Sequence, residues 1–153
     1  MKNYLALETV SGWLFIMNNP DIPLRILLVD DSPTAGLFLQ HKLAMLAGDK
    51  LNIVIRLVTT GEKALEEFSE KIFDLAILDV VLPGISGYDL CKKINAVSEA
   101  TVAFLTALTS EQEVKLGFEA GCHFYIKKPA IDEDLLKLMN VAAIKSNRGI
   151  VIK

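Results

Sequence analysis

Four apolar runs in this chain each end on a side chain that can handle phosphate or a hard cation. They are residues 26–29 before Asp30 and Asp31, residues 75–78 before Asp79, residues 102–105 before Thr106, and residues 124–126 before Lys127 and Lys128. Apolar runs of this length, separated by stretches of helical period, are typical of parallel strands covered on both faces, and such sheets bind ligands at the carboxyl ends of their strands. The sequence therefore predicts three carboxylates, a hydroxyl and an ammonium around one pocket.

Acids clustered in this way call for a counter-ion. Two unit charges about 4 Å apart repel by roughly 4 kcal/mol at an effective dielectric constant of 20, so Asp30, Asp31 and Asp79 together predict a hard divalent cation, or else protonation. Mg²⁺ fits because it prefers oxygen ligands and accepts phosphate oxygens as its remaining ligands. An Asp carboxylate beside it can attack phosphorus and form an aspartyl phosphate, with Thr106 and Lys128 supplying a hydroxyl and a positive charge to the phosphoryl oxygens.

Each of these residues has a simpler structural explanation when it is taken alone. An Asp after a strand is common as a helix cap, a Thr as a turn hydroxyl and a Lys as a solvated surface residue. Four compatible groups at the ends of four different strands are much harder to explain as coincidence than any one of them. The combination favours a phosphate site.

Alternating strands and helices must position these groups. The predicted strands cover residues 25–30, 53–58, 74–79, 101–106 and 124–127. Predicted helix starts are Ser32 followed by Pro33, Thr59 with Glu62, Ser86 with Asp89, Ser110 with Glu113, and Asp132. The helices are predicted to end near Ala47, Glu70, Val97, Gly121 and Lys145. Five such units in one domain predict an α/β fold with a doubly wound, five-stranded parallel sheet.

Composition limits the classes of protein. The 153 residues carry a net charge of -3 and no long Lys/Arg block, which argues against direct binding of nucleic acid. No apolar stretch approaches the roughly 20 residues of a membrane helix, so no membrane partner is expected. Cys91 and Cys122 lie far apart without a CxxC motif, and free, buried or half-buried thiols in a reducing cytoplasm are expected.

The N-terminal residues form an extension over 1–24. Ala6, Val10, Trp13, Leu14 and Met17 recur at helical spacing, which predicts a short amphipathic helix within residues 1–19, weakened by Gly12. The simpler interpretation is that this helix packs on its own domain. The alternative is a dimer or partner surface around Trp13.

The order of the motifs resembles the receiver domain of two-component response regulators. The resemblance runs from about Arg25 to Lys145 through Asp30-Asp31-Ser32, Asp79 with Leu82-Pro83-Gly84 and Gly87, Thr106-Ala107, Glu119-Ala120-Gly121, and Tyr125 three positions before Lys128-Pro129. It implies a flavodoxin-like strand order 2-1-3-4-5 and a receiver domain over 25–146, with 147–153 as a C-terminal tail. It also implies a phosphoacceptor signalling domain rather than an enzyme.

The resemblance assigns a role to each residue of the acidic cluster. Asp79 would accept phosphate from a phosphohistidine on a sensor histidine kinase or a histidine phosphotransfer protein. Asp31 and Asp79 would ligate Mg²⁺ with the Val81 backbone carbonyl, and Asp30 would act through water. Lys128 would pair with Asp79 before phosphorylation and with the phosphoryl group after it.

The resemblance also implies a switch. Thr106 would move to bond the phosphoryl group, which would open space for Tyr125 to turn inward, and a cis Lys128–Pro129 peptide is expected. The output surface would comprise the helix from Ser110, the fifth strand and the last helix, and would act on a downstream effector protein or domain. The sequence does not decide between a monomer and a homodimer. The four residues 150–153 that remain after the last helix are too few for an effector domain, so we expect either a stand-alone receiver or a fragment of a longer chain.

Two positions depart from the pattern of some relatives. Val81 and Leu108 are apolar where polar side chains influence the attacking water, so we expect a comparatively long-lived aspartyl phosphate.

Three other functions are weighed against the switch. A Mg²⁺-dependent phosphatase or phosphotransferase of the haloacid dehalogenase type also uses an Asp nucleophile, but the second acid expected two residues after it is Val81 here. An interaction module that is never phosphorylated would not need Asp79, Thr106 and Lys128 together. A flavin carrier is disfavoured because no phosphate loop rich in Ser, Thr and Gly follows the first strand.

Overall fold

The structure of the chain, a computed structural model, describes residues 4–9, 12–17 and 22–146, the first two segments by their backbone alone. Its strands are β1 (Tyr4–Thr9), β2 (Gly12–Met17), β3 (Leu24–Val29), β4 (Ile53–Val58), β5 (Leu75–Leu78), β6 (Thr101–Thr106) and β7 (Phe124–Lys127). Its helices are α1 (Pro33–Ala47), α2 (Gly61–Glu70), α3 (Gly87–Val97), α4 (Glu111–Glu119) and α5 (Asp132–Lys145).

Strands β3 to β7 form one parallel sheet in the order β4-β3-β5-β6-β7. Counted from β3, this is the predicted order 2-1-3-4-5, and the predicted fold class is confirmed. The chain reverses its direction of winding between β3 and β5. The carboxyl ends of these two neighbouring strands therefore border the crevice in which doubly wound sheets bind ligands.

Burial explains why the central strands are continuous apolar runs. Every residue of β5 and β6 is buried, whereas the edge strand β4 alternates between half-buried and exposed positions. Leu24, Ile26 and Leu28 of β3 face one apolar layer, under α1 and α5, and Leu27 and Val29 face the other, under α2, α3 and α4. A strand with a core on both sides has no face left for polar residues.

Helix starts follow the sequence signals in three of five cases. The Ser32 and Ser86 side chains accept hydrogen bonds from the amides of Ala35 and Asp89, and Ser110 with Glu113 forms a complete capping box. The other two predicted caps are wrong. Thr60, not Thr59, caps α2 by accepting from the Lys63 amide, and the α5 cap is Ile131, whose side chain makes no capping bond. Asp132 is the first helical residue instead, where its charge still favours the helix dipole.

The predicted N-terminal helix is also wrong. The backbone of β1 and β2 forms a two-stranded antiparallel sheet in which Thr9 pairs with Gly12. This stretch contains many aromatic and β-branched residues, and Gly12 costs about 1 kcal/mol inside a helix, so strand pairing prevails over helical spacing. The suggested partner surface around Trp13 depends on side chains that the structure does not describe, and the predicted tail 147–153 lies outside the described residues. The domain boundaries stay a prediction.

Within the described segments, no helix combines the length and apolar character needed to cross a bilayer.

Candidate functional site

Asp30 lies directly after β3 and is held from two sides. Its backbone amide donates to the Val58 carbonyl at 3.2 Å, which continues the pairing with β4 by one residue. Its Oδ1 accepts a hydrogen bond from the Ser32 amide at 2.9 Å. The same Asp therefore ends β3 and orients the first turn before α1, while its second oxygen, Oδ2, takes part in the site.

Lys128 joins two of the predicted site acids. Its Nζ donates to Asp30 Oδ2 at 2.7 Å and to Asp79 Oδ2 at 2.8 Å. Burial alone would lower the pKa of the Lys128 ammonium, but its hydrogen bonds and attraction to the two acids outweigh burial and raise that pKa above its ordinary value. Lys128 is thus a firmly protonated bridge between the ends of β3 and β5.

Asp31 completes the cluster. One carboxylate oxygen each of Asp30, Asp31 and Asp79 can be chosen so that all lie within 4.8 Å of one another, and Asp31 is exposed to solvent. With all groups ionised, three carboxylates and the single ammonium of Lys128 leave two negative charges. That remainder and the all-oxygen donor set fit a divalent hard cation such as Mg²⁺.

The backbone around Asp79 brings Val81 close to the cluster. Asp79 Oδ1 accepts the Val81 amide at 3.2 Å, and Val81 is 58% exposed. Thr106 ends β6 and is almost fully buried; its carbonyl accepts the Lys128 amide at 2.9 Å. Its hydroxyl accepts from the Leu108 amide at 3.3 Å. The fold therefore sets Thr106 directly beside the strand that delivers Lys128.

Tyr125 is half-buried at the same end of the sheet. Its ring packs against Phe104, with centroids 5.7 Å apart, and against Gly117 of α4. Its hydroxyl donates to the Leu108 carbonyl at 2.8 Å. Burial raises the pKa of this phenol well above its ordinary value, with its neighbour Tyr88 adding to the effect. The group is therefore a neutral donor at physiological pH, bonded to the β6–α4 loop.

Two side chains near the site make contacts that were not anticipated from the sequence. Glu62, predicted to belong to a capping box, instead accepts the Ile85 amide at 3.1 Å. Lys42 of α1 donates to the Ala130 carbonyl at 2.7 Å and pairs with Asp132 at 3.0 Å, which ties α1 to the loop after the cis Lys128–Pro129 peptide. No sequence signal identifies these contacts, because each joins elements far apart in the chain.

The remaining predicted residues lie away from the cluster. Cys91 and Cys122 are free and buried, and burial raises their pKa values to about 11 and about 12, so both thiols stay protonated. Of the two histidines, His123 accepts the Val102 amide through Nδ1 at 3.0 Å, and His41 is exposed on α1.

Known proteins share this fold and sequence pattern. The family model described as "Response regulator receiver domain" matches residues 26–140. The DNA-binding response regulator MtrA of Mycolicibacterium smegmatis is 35% identical over 112 residues, which cover 73% of this chain and 47% of that protein. The chain thus spans about half the length of the curated relatives it matches.

Solved structures extend the likeness to three dimensions. A CheY-like response regulator receiver domain protein from Methanospirillum hungatei JF-1 aligns with a TM-score of 0.71 and 26% identity, covering 84% of this chain and 100% of that one. The signal receiver domain of a signal transduction histidine kinase from Syntrophus aciditrophicus aligns with a TM-score of 0.71 and 29% identity, covering 84% and 96%.

Proposed function

The chain belongs to the response regulator receiver domain family, and on that premise we propose that it is a switch of a two-component system in which Asp79 accepts a phosphoryl group. The observation that carries the proposal is the bridge from Lys128 to Asp30 and Asp79, with Asp31 in the same cluster. An acid that already faces a fixed ammonium is well placed to receive an anionic group, because the ammonium offsets the charge that the group brings.

The donor in this proposal is a phosphohistidine on a sensor histidine kinase or a histidine phosphotransfer protein. A carboxylate oxygen of Asp79 attacks phosphorus, the phosphorus–nitrogen bond breaks, and the released imidazole nitrogen keeps the electron pair and takes up a proton. Lys128 passes from Asp79 to the phosphoryl oxygens. Asp31, Asp79 and the Val81 carbonyl would hold Mg²⁺, with Asp30 acting through water, and the ion would neutralise charge on those oxygens.

The β6–α4 loop offers a path from the phosphoryl group to the surface. Leu108 bonds the Thr106 hydroxyl through its amide and the Tyr125 hydroxyl through its carbonyl. In the proposal, Thr106 leaves this amide to bond the phosphoryl group, and the loop and Tyr125 shift with it. Two conformations that differ in affinity for the phosphoryl group are what a switch requires.

The output surface in this proposal comprises α4, β7 and α5. It includes the exposed apolar side chains Leu116, Val141 and Ile144, each at least 37% accessible. A downstream effector protein or domain, or a second copy in a homodimer, would bind there more tightly in one conformation than in the other. Direct binding of nucleic acid by this chain is not proposed, because its net charge is -3.

A hollow beside Lys128 would admit the donor protein. It has a volume of about 410 Å³ and is lined mainly by apolar groups of α1 and of the loop after β7, among them Leu39, Pro129 and Ala130. Phe38 at its rim is 70% exposed. Because this apolar surface adjoins Lys128, which bonds Asp79, a helix bearing the phosphohistidine could dock there and reach Asp79. A cytoplasmic location is part of the proposal, in keeping with the two free thiols.

The test compares the native protein with Asp79→Asn after incubation with acetyl phosphate and MgCl₂, by intact mass. The native protein should gain the mass of one phosphoryl group and the variant should not. Asp49→Asn, an exposed acid just after α1, changes the net charge equally and should still be phosphorylated. Continued hydrolysis of many phosphate esters would favour the phosphatase, and complete absence of an adduct would favour the interaction module.

A further inference from the structure

The loop that follows Asp79, residues 80–86, is fastened at several points. Gly87 donates its amide to the Val80 carbonyl at 2.9 Å. A Cβ at Gly87 would lie 2.7 Å from the Val80 Cα and would overlap the Asp79 carbonyl, so α3 starts in direct backbone contact with the acceptor residue. The position of this loop fixes where the Val81 carbonyl, a proposed Mg²⁺ ligand, can point.

Glu62 holds the far side of the same loop. From the first turn of α2 it reaches over 23 positions of sequence and accepts the Ile85 amide through Oε1 at 3.1 Å. Gly84 turns the chain beneath the carboxylate with φ +79°, and any Cβ there would collide with that carboxylate. The positive φ favours glycine at this position, and the absence of a Cβ leaves room for the Glu62 carboxylate. The Glu62 carboxylate therefore lies directly against the backbone of the loop at Gly84 and Ile85.

The same end of α2 meets the loop a second time. The Ile85 side chain packs so closely on Gly61 that a Cβ at Gly61 would come within 2.6 Å of Ile85 Cγ1. Thr60 already caps α2 through the Lys63 amide, so Glu62 is not needed as the cap. The Glu62 carboxylate instead bonds the loop 80–86 at the Ile85 amide.

We propose that Glu62 is a positioning residue of the phosphoacceptor site, which fixes the loop 80–86 and thereby the direction of the Val81 carbonyl toward bound Mg²⁺. The inference rests on the proposed function, since it concerns the same site. Glu62 touches neither phosphate nor metal in this scheme. It acts by reducing the number of conformations that the loop must give up when the ion binds, because disorder in a ligand-bearing loop weakens binding.

Three variants test the inference. Glu62→Ala should weaken Mg²⁺ binding, measured by calorimetry, by roughly tenfold, the lower end of the range for losing a hydrogen-bonded group that supports a metal ligand. Glu62→Gln keeps an oxygen that can accept the Ile85 amide and should restore most of the affinity. Glu66→Ala removes an exposed acid one turn further along α2 and should bind Mg²⁺ like the native protein.

A second readout separates positioning from general stability. Amide hydrogen exchange at Ile85 should be faster in Glu62→Ala than in the native protein and unchanged in Glu66→Ala, while both alanine variants retain a cooperative thermal transition. Native affinity in Glu62→Ala, or an equal loss in Glu66→Ala, would overturn the inference while leaving the proposed function intact. A native protein that neither binds Mg²⁺ nor gains a phosphoryl group would overturn the proposed function and the inference together.

Discussion

Replacing Asp31 by Asn should change stability in opposite directions with and without Mg²⁺. Asp31 is the exposed member of three acids whose chosen oxygens lie within 4.8 Å of one another, and Lys128 bonds only the other two. At 4.8 Å, two unit charges repel by about 3.5 kcal/mol at a dielectric constant of 20 and by about 0.9 kcal/mol at that of water. The exposure of Asp31 favours the lower value.

The net effect without metal follows from three interactions. Asp31 is repelled by Asp30 and Asp79 and attracted by Lys128, so roughly one repulsion remains uncompensated. Removing it should stabilise the metal-free protein by about 1 kcal/mol, or roughly 2–4 °C in melting temperature for a chain of this size. With Mg²⁺ at about a hundredfold excess over its dissociation constant, the native protein should gain about 2.7 kcal/mol, a gain that Asp31→Asn largely loses.

Thermal unfolding followed by circular dichroism, in EDTA and in MgCl₂, would measure both effects. We expect Asp31→Asn to melt above the native protein in EDTA and below it in MgCl₂. Asp49→Asn carries the same change in net charge and should track the native protein in both buffers. A variant that melts at or below the native temperature in EDTA, and gains as much from Mg²⁺ as the native protein does, would refute the electrostatic reasoning.

Three further changes probe the same site. The pKa of Lys128 is raised on folding, so the stability that its charge contributes is complete below the ordinary pKa and is lost as pH rises through the raised pKa. We therefore expect the free energies of unfolding of the native protein and Lys128→Met, measured in urea, to differ by a constant amount from neutral pH to about pH 10. Above about pH 10 this difference should shrink. Val81→Asn should shorten the lifetime of the aspartyl phosphate, timed by intact mass, because an amide can orient the attacking water. Gly87→Ala should cost about 1–3 kcal/mol in urea unfolding and slow phosphorylation, since its Cβ meets the backbone of Asp79 and Val80.

Each of these has a contrary outcome. If the difference in free energy of unfolding between the native protein and Lys128→Met grows above about pH 10, the pKa of Lys128 is not raised on folding. If the aspartyl phosphate of Val81→Asn lasts as long as that of the native protein, the apolar side chain of Val81 does not limit hydrolysis. If Gly87→Ala is as stable as the native protein in urea, the backbone of Asp79 and Val80 can move away from the added Cβ without a loss of stability.

Local sequence determined where most elements of the α/β domain begin and end. Apolar runs predicted the strands β4, β6 and β7 at the residues where the structure has them. The run in β6 is buried throughout, because this strand is covered on both faces, whereas β4 and β7 keep exposed positions. Hydroxyl caps fixed the starts of α1, α3 and α4, because a Ser oxygen satisfies amides that the helix leaves unpaired. The polar groups at the strand ends were therefore identifiable as a set before their positions were known.

Tertiary structure alone decided which of these groups meet, and with what partner. Lys128 bonds Asp30 and Asp79 across 98 and 49 positions of sequence, and Glu62 bonds Ile85 rather than closing its own helix. Capping spacing cannot distinguish a carboxylate that folds back on its helix from one that crosses to a neighbouring loop, since the choice depends on what the crossovers bring within reach. The N-terminal segment shows the same limit, because strand pairing at Gly12 depends on residues facing it and not on its own periodicity.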